Sequence, residues 1–291
     1  MRITEGYLSR HYQGRSGGRD PALLDIAQDY ALVVLYRAGV FDLNAVLKGG
    51  TALRKFRSGN AGRFSTDLDF ACDNDTTAAL VLESIDGAEI DGFSFRLERR
   101  DSDRRAVLRV TTPLGTPNLP AKIDLSTRGL WLPPDVIEMV PLPIHKRYDI
   151  DLPSIPVMRL EEVIAEKLAR YRRTSLARDL YDLQWCADQS FDEALVRRLW
   201  ILKSFFDIVD DEIALGPIDS ADVLSERDET VFAAEQIGYL TRPVDIAGWE
   251  KRVRSRYGFL ARLDDDERRW AGASPADRWS ALQAVKLIEQ T

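Results

Sequence analysis

Several residue types are scarce in this 291-residue chain, and each scarcity excludes something. His11 and His145 are its only histidines, and Cys72 and Cys186 its only cysteines. A histidine-rich zinc site is therefore impossible, Cys-x-x-Cys metal spacing is absent, and no disulfide framework beyond a single bridge can form. No stretch approaches the ~20 uninterrupted apolar residues of a bilayer span. The opening MRITEGYLSRHYQGRSGGRD lacks the apolar segment of a secretory signal. Positive charge is not in excess: 40 basic residues face 47 acidic ones, a net charge of −7. That argues against nonspecific coating of nucleic acid but leaves room for a local basic groove. The acidic excess is either ordinary surface charge or carboxylates gathered around metal. A cytoplasmic protein fits these absences.

What is present is a globular composition, 45% apolar and 30% charged, long enough for one large or two ordinary domains. Gly14, Gly17 and Gly18 among polar residues predict a mobile stretch of about 20 residues. Asp20-Pro21 reads as a helix start, with Asp20 as N-cap, and Gly39 as its stop. Val46-Leu47 leads into Lys48-Gly49-Gly50-Thr51, with a short helix from Ala52 to Phe56. Strands are predicted over 66–71, 92–99, 105–112 and 120–126, and a helix over 75–85. The passage holding Pro133, Pro134, Pro141, Pro143, Pro153 and Pro156 reads as an extended connector with room for one short edge strand. Beyond Met158 the pattern is helical, with amphipathic candidates at 159–172, 176–188, 192–208, 219–235, 243–263 and 275–289. The fold class is α+β: a small mixed sheet with flanking helices over 1–155, then a helical domain over 156–291.

The chemistry-bearing stretch joins Lys48-Gly49-Gly50-Thr51 to Asp67-Leu68-Asp69. Residues i and i+2 of a strand share a face, so Asp67 and Asp69 present two carboxylates side by side. Such a pair repels unless a cation neutralises it, and hard oxygen ligands favour Mg²⁺. If the strand of Asp124 neighbours theirs, three carboxylates converge, enough for two metals and an in-line phosphoryl displacement. Paired glycines let backbone N–H groups approach a triphosphate, and Thr51 would cap the following helix or bond a phosphate oxygen. Ser65 and Thr66 are either strand-entry residues or, for Ser65, a neighbour of the phosphates. A phosphoryl group on Ser65 would then add negative charge to an anionic site and abolish activity. Arg63 is equally a salt-bridge partner or a phosphate contact. Lys167 is the only lysine between 159 and 189, and a flexible ammonium there could offset charge on departing pyrophosphate. Asp179 and Asp182 share a helix face, and one of them would orient Lys167 or the nucleotide.

Gly49-Gly50-Thr51-Ala52-Leu53, followed by Arg63-Phe64-Ser65-Thr66-Asp67-Leu68-Asp69-Phe70, resembles the AbiEii/AbiGii-type nucleotidyltransferase toxins. That family includes the MenT toxins of mycobacteria and belongs to the polymerase-β-like superfamily. Lys122-Ile123-Asp124, Glu166-Lys167-Leu168-Ala169-Arg170 and Arg178-Asp179-Leu180-Tyr181-Asp182-Leu183 resemble its later motifs; the likeness covers residues 47–185. The resemblance implies a polymerase-β-like nucleotidyltransferase core. It implies Mg²⁺ (two ions) on Asp67, Asp69 and Asp124, with Asp124 also helping to deprotonate the attacking hydroxyl. Gly49, Gly50, Thr51, Ser65 and Lys167 would bind the NTP. Asp182 would be the functional member of its pair, with Asp179 structural or secondary. It further implies a toxin with a separately encoded antitoxin, and the 3′ end of tRNA as acceptor, so that nucleotide addition blocks translation.

Arginines cluster at 96–105, 170–178 and 251–256, as lining of a nucleic-acid groove or as solvated helix faces. Asp264-Asp265-Asp266-Glu267 reads as a helix boundary, and Trp185, Trp200, Trp249, Trp270 and Trp279 as packing of the helical half. Two other functions fit the residues: a nucleotidyltransferase acting on a protein or small molecule, and a non-catalytic nucleotide- or partner-binding module.

Overall fold

The strand-forming stretches of the first half pair into one eight-stranded mixed sheet in the computed structural model, which describes residues 3–13, 18–102, 104–126, 128–232 and 244–290. The chain divides into two units, one containing Met1–Leu130 and Pro134–Met158, the other Trp131–Pro133 and the helices after Arg159.

The first unit runs α1 (Glu5–Tyr12), α2 (Arg19–Arg37), β1 (Val46–Lys48), α3 (Gly49–Leu53), a π-helical segment Arg54–Ser58, β2 (Asp67–Ala71), α4 (Asp75–Ile85), β3 (Glu89–Ile90), β4 (Phe93–Ser102), β5 (Arg105–Thr111), β6 (Ala121–Ser126), β7 (Asp135–Ile137) and β8 (Ile155–Val157). Strand order is β3-β4-β5-β6-β2-β1-β8-β7. β2 and β6 pair in parallel, as do β1 and β8, and the other neighbours are antiparallel. Phe70, Phe95, Ile123 and Leu125 of the sheet join Leu23, Ile26 and Tyr30 of α2 and Val81 and Leu82 of α4 in one apolar core.

Three expectations change here. The start of the chain is not a loose stretch throughout: α1 buries Leu8 and His11, while Gly14 and Gly17 lie outside the described residues. Helix α2 begins at Arg19 after Gly18, so Asp20 is not the N-cap; it lies inside the first turn, where a negative charge suits the helix dipole. Its Oδ2 accepts the Asn118 N–H at 3.0 Å. Gly39 does end that helix region, in the left-handed conformation at φ 75°. The proline-rich passage contains two strands rather than one: β8 sits between β1 and β7, with Pro156 opposite Val136. Three-residue strands containing proline leave too short a pattern to read.

The second unit is helical: α5 (Leu160–Thr174), α6 (Ala177–Cys186), α7 (Glu193–Val209), α8 (Ala221–Leu224), α9 (Ile246–Arg256), α10 (Asp265–Ala271) and α11 (Arg278–Ile288). The helix expected over 219–235 shrinks to one turn, α8, and a 3₁₀ turn at Glu229–Val231; residues 233–235 and 243 lie outside the described set. The acidic run is a helix boundary. Asp264 accepts the Glu267 N–H at 2.8 Å, and Glu267 accepts the Asp264 N–H at 2.9 Å, a reciprocal capping box. Trp200, Trp249 and Trp270 are buried, but Trp279 is 73% exposed and packs no core. Lys203, largely enclosed, bonds Glu162 at 2.8 Å and Glu166 at 3.5 Å. Burial alone would lower its pKa, but the two carboxylates raise it above the usual lysine value. Cys72 and Cys186 are both buried thiols. Among the described residues, no helix is long and apolar enough to cross a membrane.

Candidate active site

Strand alternation sorts the central sheet into two faces. Leu68 and Phe70 of β2, and Ile123 and Leu125 of β6, turn into the core, while Asp67, Asp69 and Asp124 are half-buried on the other face. Cross-strand register then builds a row. Lys48 lies opposite Asp69, Asp69 opposite Asp124, and Asp124 opposite Arg105. Paired residues project to the same side, so the order across four strands is cation, carboxylate, carboxylate, cation. Asp67 stands two residues before Asp69 on that face, opposite Lys122.

Asp124 Oδ2 accepts a hydrogen bond from Arg105 Nε at 3.0 Å. Asp67 Oδ1 accepts one from the Thr66 hydroxyl at 3.1 Å. Among the described residues, no group of three or more Asp, Glu, His or Cys side chains already converges as a metal cage. The donor chemistry nevertheless fits a hard divalent cation: carboxylate oxygens from adjacent strands share one face, and Asp124 pairs with an exposed arginine.

The two glycines are explained by contact. Gly49 has φ +76°, and a Cβ there would lie 2.0 Å from Asp69 Oδ2. A Cβ on Gly50 would lie 2.5 Å from Arg63 Nη2 and 3.0 Å from Ser65 Oγ. The turn thus lies directly on Asp69, Arg63 and Ser65. Helix α3 starts at Gly49 rather than Ala52, and Thr51 does not cap it. Thr51 is fully buried inside the helix, and its hydroxyl donates to the Asp67 carbonyl, tying α3 to β2. Arg63 is buried and donates to the Phe64 carbonyl at 3.4 Å. Ser65 is 6% exposed, with its carbonyl accepting from Gln28 Nε2 at 3.0 Å; modification of its hydroxyl would require this segment to open.

Behind the turn lies a network that the sequence reading missed. The π-helical segment following α3 points Arg54 and Lys55 into the interior against Asp25 and Asp29 of α2. Lys55 Nζ is 2.6 Å from Asp29 Oδ1 and 3.2 Å from Asp25 Oδ1. Arg54 Nη2 lies 3.3 Å and His11 Nε2 2.8 Å from Asp25 Oδ2. The Tyr148 hydroxyl donates to Asp29 Oδ2 at 2.6 Å, and His145 Nε2 lies 3.5 Å from the same oxygen. Burial would raise the Asp25 carboxyl, but Lys55 and Arg54 hold it well below the usual range. Asp29 is likewise lowered, its burial outweighed by Lys55 and then His145. Burial, with Asp29 adding to it, pushes the Tyr148 hydroxyl far up. Two aspartates four apart in an otherwise apolar helix were the available signal.

In the helical unit, buried Lys167 of α5 places Nζ 2.6 Å from Asp182 Oδ2 of α6 and 3.6 Å from Asp179 Oδ1. Asp179 is fully buried and gripped by Arg170 through Nε at 2.6 Å and through Nη2. The pair one turn apart therefore divides its work: Asp182 fixes Lys167, and Asp179 chiefly fixes Arg170. Arg172 and Arg173 also pair within their own unit, Arg172 with Asp222 at 2.7 Å and Arg173 with Asp207 at 3.5 Å.

Comparison with known proteins completes this geometry. The profile of the family described as nucleotidyl transferase AbiEii toxin, type IV toxin–antitoxin system, matches residues 33–274. Among solved structures, the chain is similar to MenT4, a nucleotidyltransferase toxin from Mycobacterium tuberculosis H37Rv. The two share 47% identity and a TM-score of 0.94, over 99% of each chain. A distant likeness to JHP933 from Helicobacter pylori has 20% identity and a TM-score of 0.44, over 89% of this chain and 98% of that one. A search of curated proteins finds no match.

Proposed function

Because the chain belongs to the AbiEii nucleotidyltransferase toxin family, a toxin family of type IV toxin–antitoxin systems with an antitoxin as its counterpart, we propose that it transfers a nucleoside monophosphate from an NTP to the 3′ end of tRNA and so blocks translation. The observation that carries the reading is the Lys48–Asp69–Asp124–Arg105 row with Asp67 beside it. Adjacent carboxylates repel, and a sheet face retains them where a cation is to be bound.

In this reading Asp67, Asp69 and Asp124 hold Mg²⁺. Two such ions, when bound, offset triphosphate charge and polarise the α-phosphate. Gly49 and Gly50 bring the first backbone N–H groups of α3 to the β- and γ-phosphates, with no Cβ in the way. Ser65 lies beside Gly50 and borders the same phosphates. Thr51 contributes by holding α3 against the Asp67 strand, its hydroxyl being spent there. Asp124, released by Arg105, accepts the proton of the acceptor hydroxyl. The oxygen then attacks the α-phosphorus, the bond to the β-phosphate oxygen breaks, and pyrophosphate leaves. Lys167, oriented by Asp182, neutralises the charge growing on pyrophosphate. Arg105 holds Asp124 in place until that carboxylate binds metal, a role its surface-arginine sequence context did not reveal. The cytoplasm, where tRNA is charged, is the compartment this reading assigns.

Incubation with each α-labelled NTP in turn, plus purified tRNA and total protein, tests it. Label at the RNA 3′ end is expected. Label confined to protein would overturn the tRNA acceptor and leave a nucleotidyltransferase of another target.

A further inference from the structure

Within the helical unit, one face of α9 lines an open hollow of about 850 Å³. Lys251, Arg252, Ser255 and Arg256, from the last two turns of α9, line it together with Arg262 and Phe259. Four cations thus meet in a chain whose net charge is −7. Two carboxylates answer them. Glu193 pairs with both Arg256 and Arg262, at 2.5 Å and 3.2 Å, and Asp188 pairs with Arg252. Lys251 pairs with neither. These pairs are open to water, with the Arg262 side chain 71% and Asp188 54% exposed. Exposed ion pairs of this kind contribute little and exchange readily for another anion. The contrast is with 170–178, where Arg170 grips a wholly buried Asp179 and the Arg172 side chain is only 7% exposed.

We propose that this hollow binds the phosphate backbone of the acceptor RNA, holding it by Lys251, Arg252 and Arg262; the inference rests on the RNA-acceptor reading above. Guanidinium forks match phosphate oxygens two at a time, and the Ser255 hydroxyl adds a neutral donor. The excess of cations over carboxylates attracts a polyanion while the rest of the acidic surface repels it, which confines RNA to one path.

The test uses the full chain and fluorescently labelled purified tRNA, titrated over a salt series. Wild type is compared with a Lys251→Ala/Arg252→Ala/Arg262→Ala variant. Removing about three phosphate contacts should weaken binding roughly 10- to 100-fold at low salt, and make the log–log salt dependence shallower by roughly 2 to 3. NTP affinity and thermal midpoint should stay at wild-type values. Single Lys251→Glu, at an exposed position, keeps the test valid if the triple variant folds poorly, and should weaken binding in the same direction. Unchanged affinity and salt slope in the variants, while wild type still labels RNA, would overturn the hollow alone. Loss of antitoxin binding with intact RNA binding would reassign it to a protein and equally overturn the proposal. Absence of label on any RNA by wild type would instead sink the acceptor reading on which it rests.

Discussion

The α/β unit holds charge in two kinds of place, and the contrast separates what the fold needs from what the reaction needs. Around Lys55, two aspartates, a lysine, an arginine, a histidine and a tyrosine are shut away from water with His145 at their edge, and every carboxylate meets more than one donor. On the open sheet face, Asp69 and Asp124 stand next to each other with half-buried side chains, and Asp124 pairs with an exposed arginine, Arg105. A buried charge must be fully paired because desolvation is otherwise uncompensated. Two neighbouring carboxylates left open to solvent are a costly choice for stability and a useful one for holding a cation. Losses from the first group should therefore appear in stability, and losses from the second in activity.

The largest effect is expected on the open face. Asp69→Asn should lower nucleotidyl transfer by at least ~10³-fold, the scale of removing a principal electrostatic group. Its thermal midpoint should change little, because relief of repulsion from Asp124 is set against lost attraction to Lys48 across the strand pair; parallel activity and melting measurements check both. In the buried group, Lys55→Met should cost about 3–5 kcal/mol in denaturant unfolding, since it strands Asp25 and Asp29. Gly49→Ala bridges the two classes. Its Cβ would strike Asp69 Oδ2, and its φ of +76° is unfavourable for alanine. A stability loss of about 1–2 kcal/mol should accompany a drop in transfer rate larger than that loss explains.

Acid should discriminate in the same way. The Asp25 and Asp29 carboxyls lie below the ordinary value of 3.8, held there by Lys55 with Arg54, His11 and His145 around them. Their contribution to stability is complete above about pH 5 and drains away as pH falls below 3.8 through their folded-state values. Unfolding free energy measured from pH 6 down to pH 2 should fall steeply in wild type and more gently in Lys55→Met. The smallest effect belongs to Arg105→Ala. An exposed pair contributes about 0.2–1 kcal/mol, so freeing Asp124 should lower the Mg²⁺ concentration for half-maximal activity by no more than a few-fold, measured by metal titration.

Much of this arrangement was legible from residue order. Alternation placed Asp67 and Asp69 on one strand face, and the strand around Asp124 was recognisable, as were α4 and α5 to α7. What alternation cannot give is register. That Asp124 meets Asp69 on one side and Arg105 on the other, and that Lys48 closes the row, depends on which strands lie side by side. Arg105 looked like one more surface arginine in a charged hairpin. The Thr51 misreading has a related cause: a hydroxyl after two glycines suits a cap, and only the approach of β2 diverts it to the Asp67 carbonyl. The buried network escaped because its members come from four separate stretches, around His11, Asp25, Lys55 and Tyr148.

The central claim, that the open carboxylates serve chemistry and the buried ones the fold, is tested most directly by NTP-dependent labelling of purified tRNA with Asp69→Asn protein matched to wild type in thermal midpoint. The account predicts label on RNA with wild type and none above background with the variant. Transfer by folded Asp69→Asn at the wild-type rate would contradict it.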